Sequence, residues 1–129
     1  MLMDNTLVFS DGQKITATAA STNKVDQLAA GDAFAALWLV VDVKQAFDKL
    51  TSLAIGIETD DDAAFGSKKE LAAVTVALAD LVADANVVKM RLPLGCKRYI
   101  RLNYTVTGTA PTAGSVKAFL TPMPPIDVE

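Results

Sequence analysis

The sequence has no histidine, one cysteine and one tryptophan in 129 residues. Without histidine, Ser-His-Asp and Cys-His catalysis, histidine-ligated metals and imidazole acid–base chemistry are all excluded. An enzyme would have to run on carboxylates or lysine alone, so the expectation is a protein that is not an enzyme. The lone Cys96 excludes an intramolecular disulfide and any cysteine-based zinc site. No cofactor is expected. Long apolar runs are missing as well. Residues are 51% hydrophobic, yet no run approaches the roughly 18 apolar residues of a membrane span. The longest candidate, residues 33–43, is interrupted by Asp42. At the N-terminus the basic region of a signal peptide is absent, and Asp4 and Asp11 flank the apolar cluster. The expectation is a soluble protein, made in the cytoplasm without export and with no membrane partner.

Acidic residues are absent from one long block. Residues 1–84 carry six lysines against thirteen acids, a net −7. Residues 85–126 carry six basic residues and no acid, a net +6, and Asp127 and Glu129 close the chain at −2. The whole is only −3. Such asymmetry suits electrostatic contact between protein faces. A nucleic-acid binder is usually basic over its whole domain, so no direct nucleic-acid partner is expected.

What is present is β patterning. Residues 91–106 hold a short approach strand, a turn set by Pro93 and Gly95, and a strictly alternating strand. Ile100, Leu102, Tyr104 and Val106 share one face; Tyr99, Arg101, Asn103 and Thr105 share the other. Residues 6–9 read as a strand, Ser10, Asp11 and Gly12 as a turn, and residues 14–19 as a second strand. Residues 24–28 add a short edge segment, and 29–33 a loop of small residues. Residues 37–43 are apolar almost throughout, as in strands covered on both faces, although a buried helix is the rival. Phe47 anchors the polar connection at 44–51. Residues 53–59 alternate around Gly56, which marks a bulge or close packing. Phe65 packs back from the loop after Asp60, Asp61 and Asp62, and residues 68–70 are solvated.

The stretch 71–85 fits a helix through Leu71, Val74, Leu78 and Leu81, or a strand followed by a turn. The β surroundings favour the second. Residues 87–91 and 115–120 read as strands. Pro122, Pro124 and Pro125 remove ladder donors, so residues 122–129 are expected to form an extended arm beyond a single domain at 1–121. About eight short strands with regular turn signals indicate an all-β fold, an antiparallel jelly-roll-like sandwich or barrel.

Each candidate site has a plainer reading. Asp60, Asp61 and Asp62, with Glu58 and Asp48 near, offer oxygen ligands to Ca²⁺, but the alternating spacing of a calcium loop is missing. A solvated turn is favoured and no metal is expected. Cys96 sits beside Lys97 and Arg98, a setting that lowers a thiol pKa, yet it has no base. Lys89, Arg91, Lys97, Arg98 and Arg101 form a basic cluster with Tyr99 and Tyr104 interleaved. Phosphate contact with aromatic stacking is one reading; alternation puts the two tyrosines on opposite faces, and docking on an acidic protein is favoured. Trp38 and Phe34 are interface anchors or, by default, core.

Four segments carry a resemblance: residues 9–23 (FSDGQKITATAASTN), 57–65 (IETDDDAAF), 91–106 (RLPLGCKRYIRLNYTV) and 112–116 (TAGSV). In this order, over nearly the full length, they resemble the Bbp16-like capsid cement proteins of tailed bacteriophages. The resemblance implies a jelly-roll-like protein on the outer surface of a virion head built from an HK97-type major capsid protein. It implies a homo-oligomer, most readily a dimer, that bridges capsomers and resists internal DNA pressure. On that basis Lys97, Arg98 and Arg101, with Arg91 and Lys89, are the candidate capsid contacts. Pro122, Met123, Pro124, Pro125 and Ile126 are the candidates for reaching a neighbour. The stretch 71–85 departs from the family in its Ala and Asp content. The alternatives are another virion part, such as a head fibre base or tail component, and a carbohydrate-binding jelly-roll module.

Overall fold

The computed structural model describes residues 8–26, 37–93, 95 and 97–121. The expected loop at 29–33, Phe34, Cys96 and the expected arm at 122–129 lie outside the described residues. Among the described residues nine strands follow in order: β1 (Val8–Lys14), β2 (Ala19–Ala20), β3 (Val25–Asp26), β4 (Trp38–Gln45), β5 (Leu50–Asp60), β6 (Lys69–Ala77), β7 (Asn86–Arg91), β8 (Tyr99–Gly108) and β9 (Ser115–Thr121). Among the described residues there is no α-helix, only a 3₁₀ turn at Leu78–Asp80. One sheet has the order β1-β9-β4-β7, and the other β2-β8-β5-β6 with β3 also on β8. Every pairing is antiparallel. The expected all-β antiparallel sandwich is what the chain forms.

The alternation of β8 does what its pattern requires. Ile100, Leu102 and Tyr104 are completely buried and join Leu39, Val41 and Val43 of β4 and Leu53, Ile55 and Ile57 of β5 in one core. The Tyr104 hydroxyl survives this burial because it lies 2.7 Å from Ser10 Oγ. Ser10 in turn donates to Gln13 Oε1 at 2.6 Å. Burial holds the Tyr104 pKa far above the usual phenol value, so the hydroxyl stays a donor. Strand β4 is apolar on both sides for a reason visible in the register. Val8 pairs with Phe119, and Phe119 with Val40, and these three form a second buried cluster on the other face of the four-stranded sheet.

Three segments differ from the sequence-based expectation. Ser10, Asp11 and Gly12 do not turn the chain. They lie inside β1, which slips register against β9 between Val8 and Ser10 and again between Asp11 and Gln13. Gly12 takes φ +68°, the left-handed conformation that suits a bulge as well as a turn. The strand expected at 14–19 shrinks to Ala19–Ala20, because Ile15 dives into the core and its N–H bonds Gly114 O at 3.0 Å. Of the expected edge at 24–28, Val25–Asp26 form β3, and residues 27 and 28 lie outside the described residues. In the ambiguous stretch 71–85 the strand wins. Pairing from Ser52↔Ala77 to Thr59↔Lys69 engages the backbone of β6, and the 3₁₀ turn follows. Gly56 is a close-packing site: a Cβ there would meet the Glu70 carboxylate.

Candidate docking surfaces

One end of the sandwich is tied by the loop between β5 and β6. Its three aspartates have separate tasks. Asp60, 4% exposed, accepts N–H bonds from Asp62 (3.2 Å) and Ser67 (2.7 Å). Asp62 accepts from the Ala64 N–H at 3.0 Å, and Asp61 more weakly from Arg98 N–H at 3.4 Å. Thr59 donates its hydroxyl to Tyr99 O and accepts the Lys97 N–H, which straps the approach to β8 onto β5. Among the described residues no group of three or more acids and cysteines is arranged to hold a metal ion.

Burial raises the Asp60 carboxyl, but the N–H groups of Ser67, Asp62 and Asp61 outweigh it and hold the pKa below the ordinary 3.8. A depressed folded value stabilises the fold at pH above the unfolded value, and that contribution is lost as pH falls through the folded one. Exchange of the Ser67 amide, referenced to Leu102 in β8, should therefore be constant near neutrality and accelerate below about pH 4. Asp60→Asn should remove that pH step. A Ser67 exchange rate that tracks Leu102 down to low pH would contradict the assignment.

A similar carboxylate was not recognised in the sequence as structural. Asp48 accepts the Thr112 hydroxyl (2.6 Å), the Thr112 N–H (2.7 Å) and the Ala113 N–H (3.1 Å). The Thr112 hydroxyl is the chief reason its pKa is lowered. An aspartate near a polar turn was the available signal, but its partners lie more than sixty residues away.

The basic cluster does not form one patch. Lys89 and Arg91 are exposed on the edge strand β7 of the four-stranded sheet, opposite Val40 and Trp38. Neither makes an ion pair with a described residue. Arg101 lies on the outer face of the other sheet. Its Nε donates to Glu58 Oε1 at 2.8 Å, and its guanidinium carbon sits 4.3 Å from the centre of the Phe65 ring. The Glu58 side chain is only 7% exposed, and its second oxygen lies 3.6 Å from Lys68 Nζ. Arg98 forks onto Asp26 through Nε and Nη2, both at 3.0 Å, which staples β3 to β8 and raises the guanidinium pKa. Lys97 is half-buried in the turn before β8. Tyr104 is buried, so of the two tyrosines only the half-buried Tyr99 is accessible.

Two concavities accompany these charges. Between the edge strands β6 and β7 lies a groove of about 460 Å³ lined by Val74, Val76, Asp80, Val82 and Val87. Val82, 51% exposed, is the large hydrophobic residue left open among the described residues. A smaller pocket of about 180 Å³ is lined by Ser21, Thr22, Asn23, Lys24, Ala63, Phe65 and Arg101. The smaller pocket was not legible in the sequence, because it joins segments remote along the chain; the groove lies within residues 74–87 and depends on how that stretch turns from β6 into β7.

The chain is thus an antiparallel two-sheet sandwich with a valine-lined groove and a smaller polar pocket. A sequence model of the Bbp16 family matches residues 9–120, and the chain belongs to that family. Membership suggests a phage-related structural protein. No curated protein matches the chain.

Proposed function

We propose that this chain is a capsid cement protein, a non-enzymatic part of the virion that binds the outer surface of an HK97-type phage head. The observation that carries the reading is the match to the Bbp16 family over residues 9–120. Its partners are the major capsid protein and further copies of itself, most readily as a dimer that bridges neighbouring capsomers. Nucleic acid and membrane are not partners in this role. Binding to the assembled lattice in preference to free subunits stabilises the closed shell by mass action. Many modest contacts repeated over the shell add through multivalency.

The geometry ranks the candidate contacts. Lys89 and Arg91 are exposed and without an acidic partner among the described residues, whereas Arg98 and Arg101 have part of their charge answered by Asp26 and Glu58. Reversing the charge of Lys89 and Arg91 together should weaken co-sedimentation with heads about tenfold at low salt and less at high salt. Because both side chains are exposed, the fold should be unaffected. Unchanged co-sedimentation would remove the electrostatic contact of β7. Cryo-electron microscopy that located the protein on the tail or on a fibre would overturn the cement role itself.

A further inference from the structure

We propose that the pocket between the turn at residues 21–24 and Arg101 is a socket for a single carboxylate side chain of a protein partner. This rests on the reading of the chain as a protein that docks on an acidic surface, and gives that docking a particular site.

The turn is held in advance of any ligand. Ser21 exchanges backbone bonds with Leu102, through its own N–H at 2.8 Å and through its hydroxyl, which accepts the Leu102 N–H at 3.1 Å. The same hydroxyl donates to Asn23 O at 2.7 Å. Thr22 N–H goes to Gln13 Oε1 and Asn23 N–H to Phe9 O. With the backbone so engaged, Thr22, Asn23 and Lys24 are left exposed at the rim. Lys24 makes no ion pair with a described residue. Opposite them the Arg101 guanidinium is held by Glu58 at its Nε and by the Phe65 ring, whose centre lies 4.3 Å from the guanidinium carbon. Its η nitrogens make no hydrogen bond with a described residue. Donors that are already oriented lose little freedom when an acceptor arrives. The free edge of a guanidinium is the fork that a carboxylate accepts from, and Lys24, lining the same pocket, adds a second positive charge.

Size and surrounding charge select the class. At about 180 Å³ the pocket falls below the few hundred Å³ of ordinary small-molecule sites. It admits one side chain. Exposed Asp61 and Asp62 on the adjoining loop repel an extended polyanion, whereas one inserted carboxylate meets Lys24 and Arg101 directly.

The test titrates the intact protein with N-acetyl-aspartate amide at constant ionic strength and follows the amide and Arg101 Nε–H NMR signals. The expected result is saturable shifts confined to Thr22, Asn23, Lys24, Phe65 and Arg101, with affinity reduced about tenfold in Lys24→Glu. Absence of saturation, or identical shifts in Lys24→Glu, would overturn the socket. Tighter binding of inorganic phosphate than of the aspartate probe would also overturn it, in favour of a phosphate-bearing partner. Head binding is measured on the same samples. If the probe fails while wild type and Lys24→Glu bind heads equally, only the socket is wrong. If the probe binds in the pocket while no head is bound, the socket stands and the cement role fails.

Discussion

Replacing Gly114 by alanine is expected to destabilise the fold by about 3 kcal/mol, from strain at a left-handed backbone and overpacking. Gly114 has φ +136°, a conformation that L side chains rarely adopt. A Cβ at this position would also run into the Phe47 ring, at Cδ2 and Cγ. The ring has little room to retreat. It is 7% exposed, it belongs to the main core, and the Phe47 N–H is bonded to Leu81 O at 3.0 Å. On the other side, Asp48 pins Thr112 and Ala113 and holds Gly114 against the ring. Urea unfolding followed by tryptophan fluorescence measures the loss. The strain and the clash can be separated, because Phe47→Leu should relieve the clash in the Gly114→Ala background and leave the strain. A loss within about 0.5 kcal/mol for Gly114→Ala would show that this turn relaxes freely.

Arg101→Leu is expected to cost about 3 kcal/mol, because it leaves the buried Glu58 carboxylate with only the more distant, half-exposed Lys68. The pairing itself is not the source of that cost; the stranded charge is. Replacing both partners, as Arg101→Leu with Glu58→Leu, should therefore recover much of the stability. Arg101→Lys should fall between, since an ammonium keeps the charge but loses the planar contact with Phe65. Thermal unfolding of wild type, Arg101→Leu, Glu58→Leu and the double variant forms a double-mutant cycle. Equal and additive losses for the two single changes would contradict a coupled pair.

The parts of the fold that were legible in the sequence are those governed by local periodicity. Strand β8 alternates over its buried face, and β4 is apolar on both faces because two clusters cover it. Strand β6 is legible from its neighbours more than from itself, since its own residues fit a helix equally well. What was not legible depends on tertiary context. Strands β2 and β3 have two residues each, too few to carry a period, and exist because the edge of β8 accepts them. Ser10, Asp11 and Gly12 have turn chemistry that serves a bulge just as well.

The candidate basic residues lie apart for a related reason. Lys89, Arg91, Arg98 and Arg101 are near in sequence, but the chain crosses from one sheet to the other between β7 and β8. Neighbours in the chain thus end on different sheets. The acid-free block at 85–126 also has less free charge than its count suggests. Arg98 meets Asp26 72 residues away, and Arg101 meets Glu58 43 residues away. Apart from Lys24, the pocket at residues 21–24 is assembled from stretches that resemble the family in sequence, yet nothing within any one stretch shows that they meet.

The most direct test of a cement role is the temperature at which DNA-filled heads lacking this protein release their DNA, measured before and after it is added back. A cement protein should bind to a fixed number of copies per head and raise the release temperature in step with occupancy. It should leave free capsid subunits unbound. Saturated heads that open at the same temperature as bare ones, or a protein that prefers free subunits to the closed shell, would contradict the role.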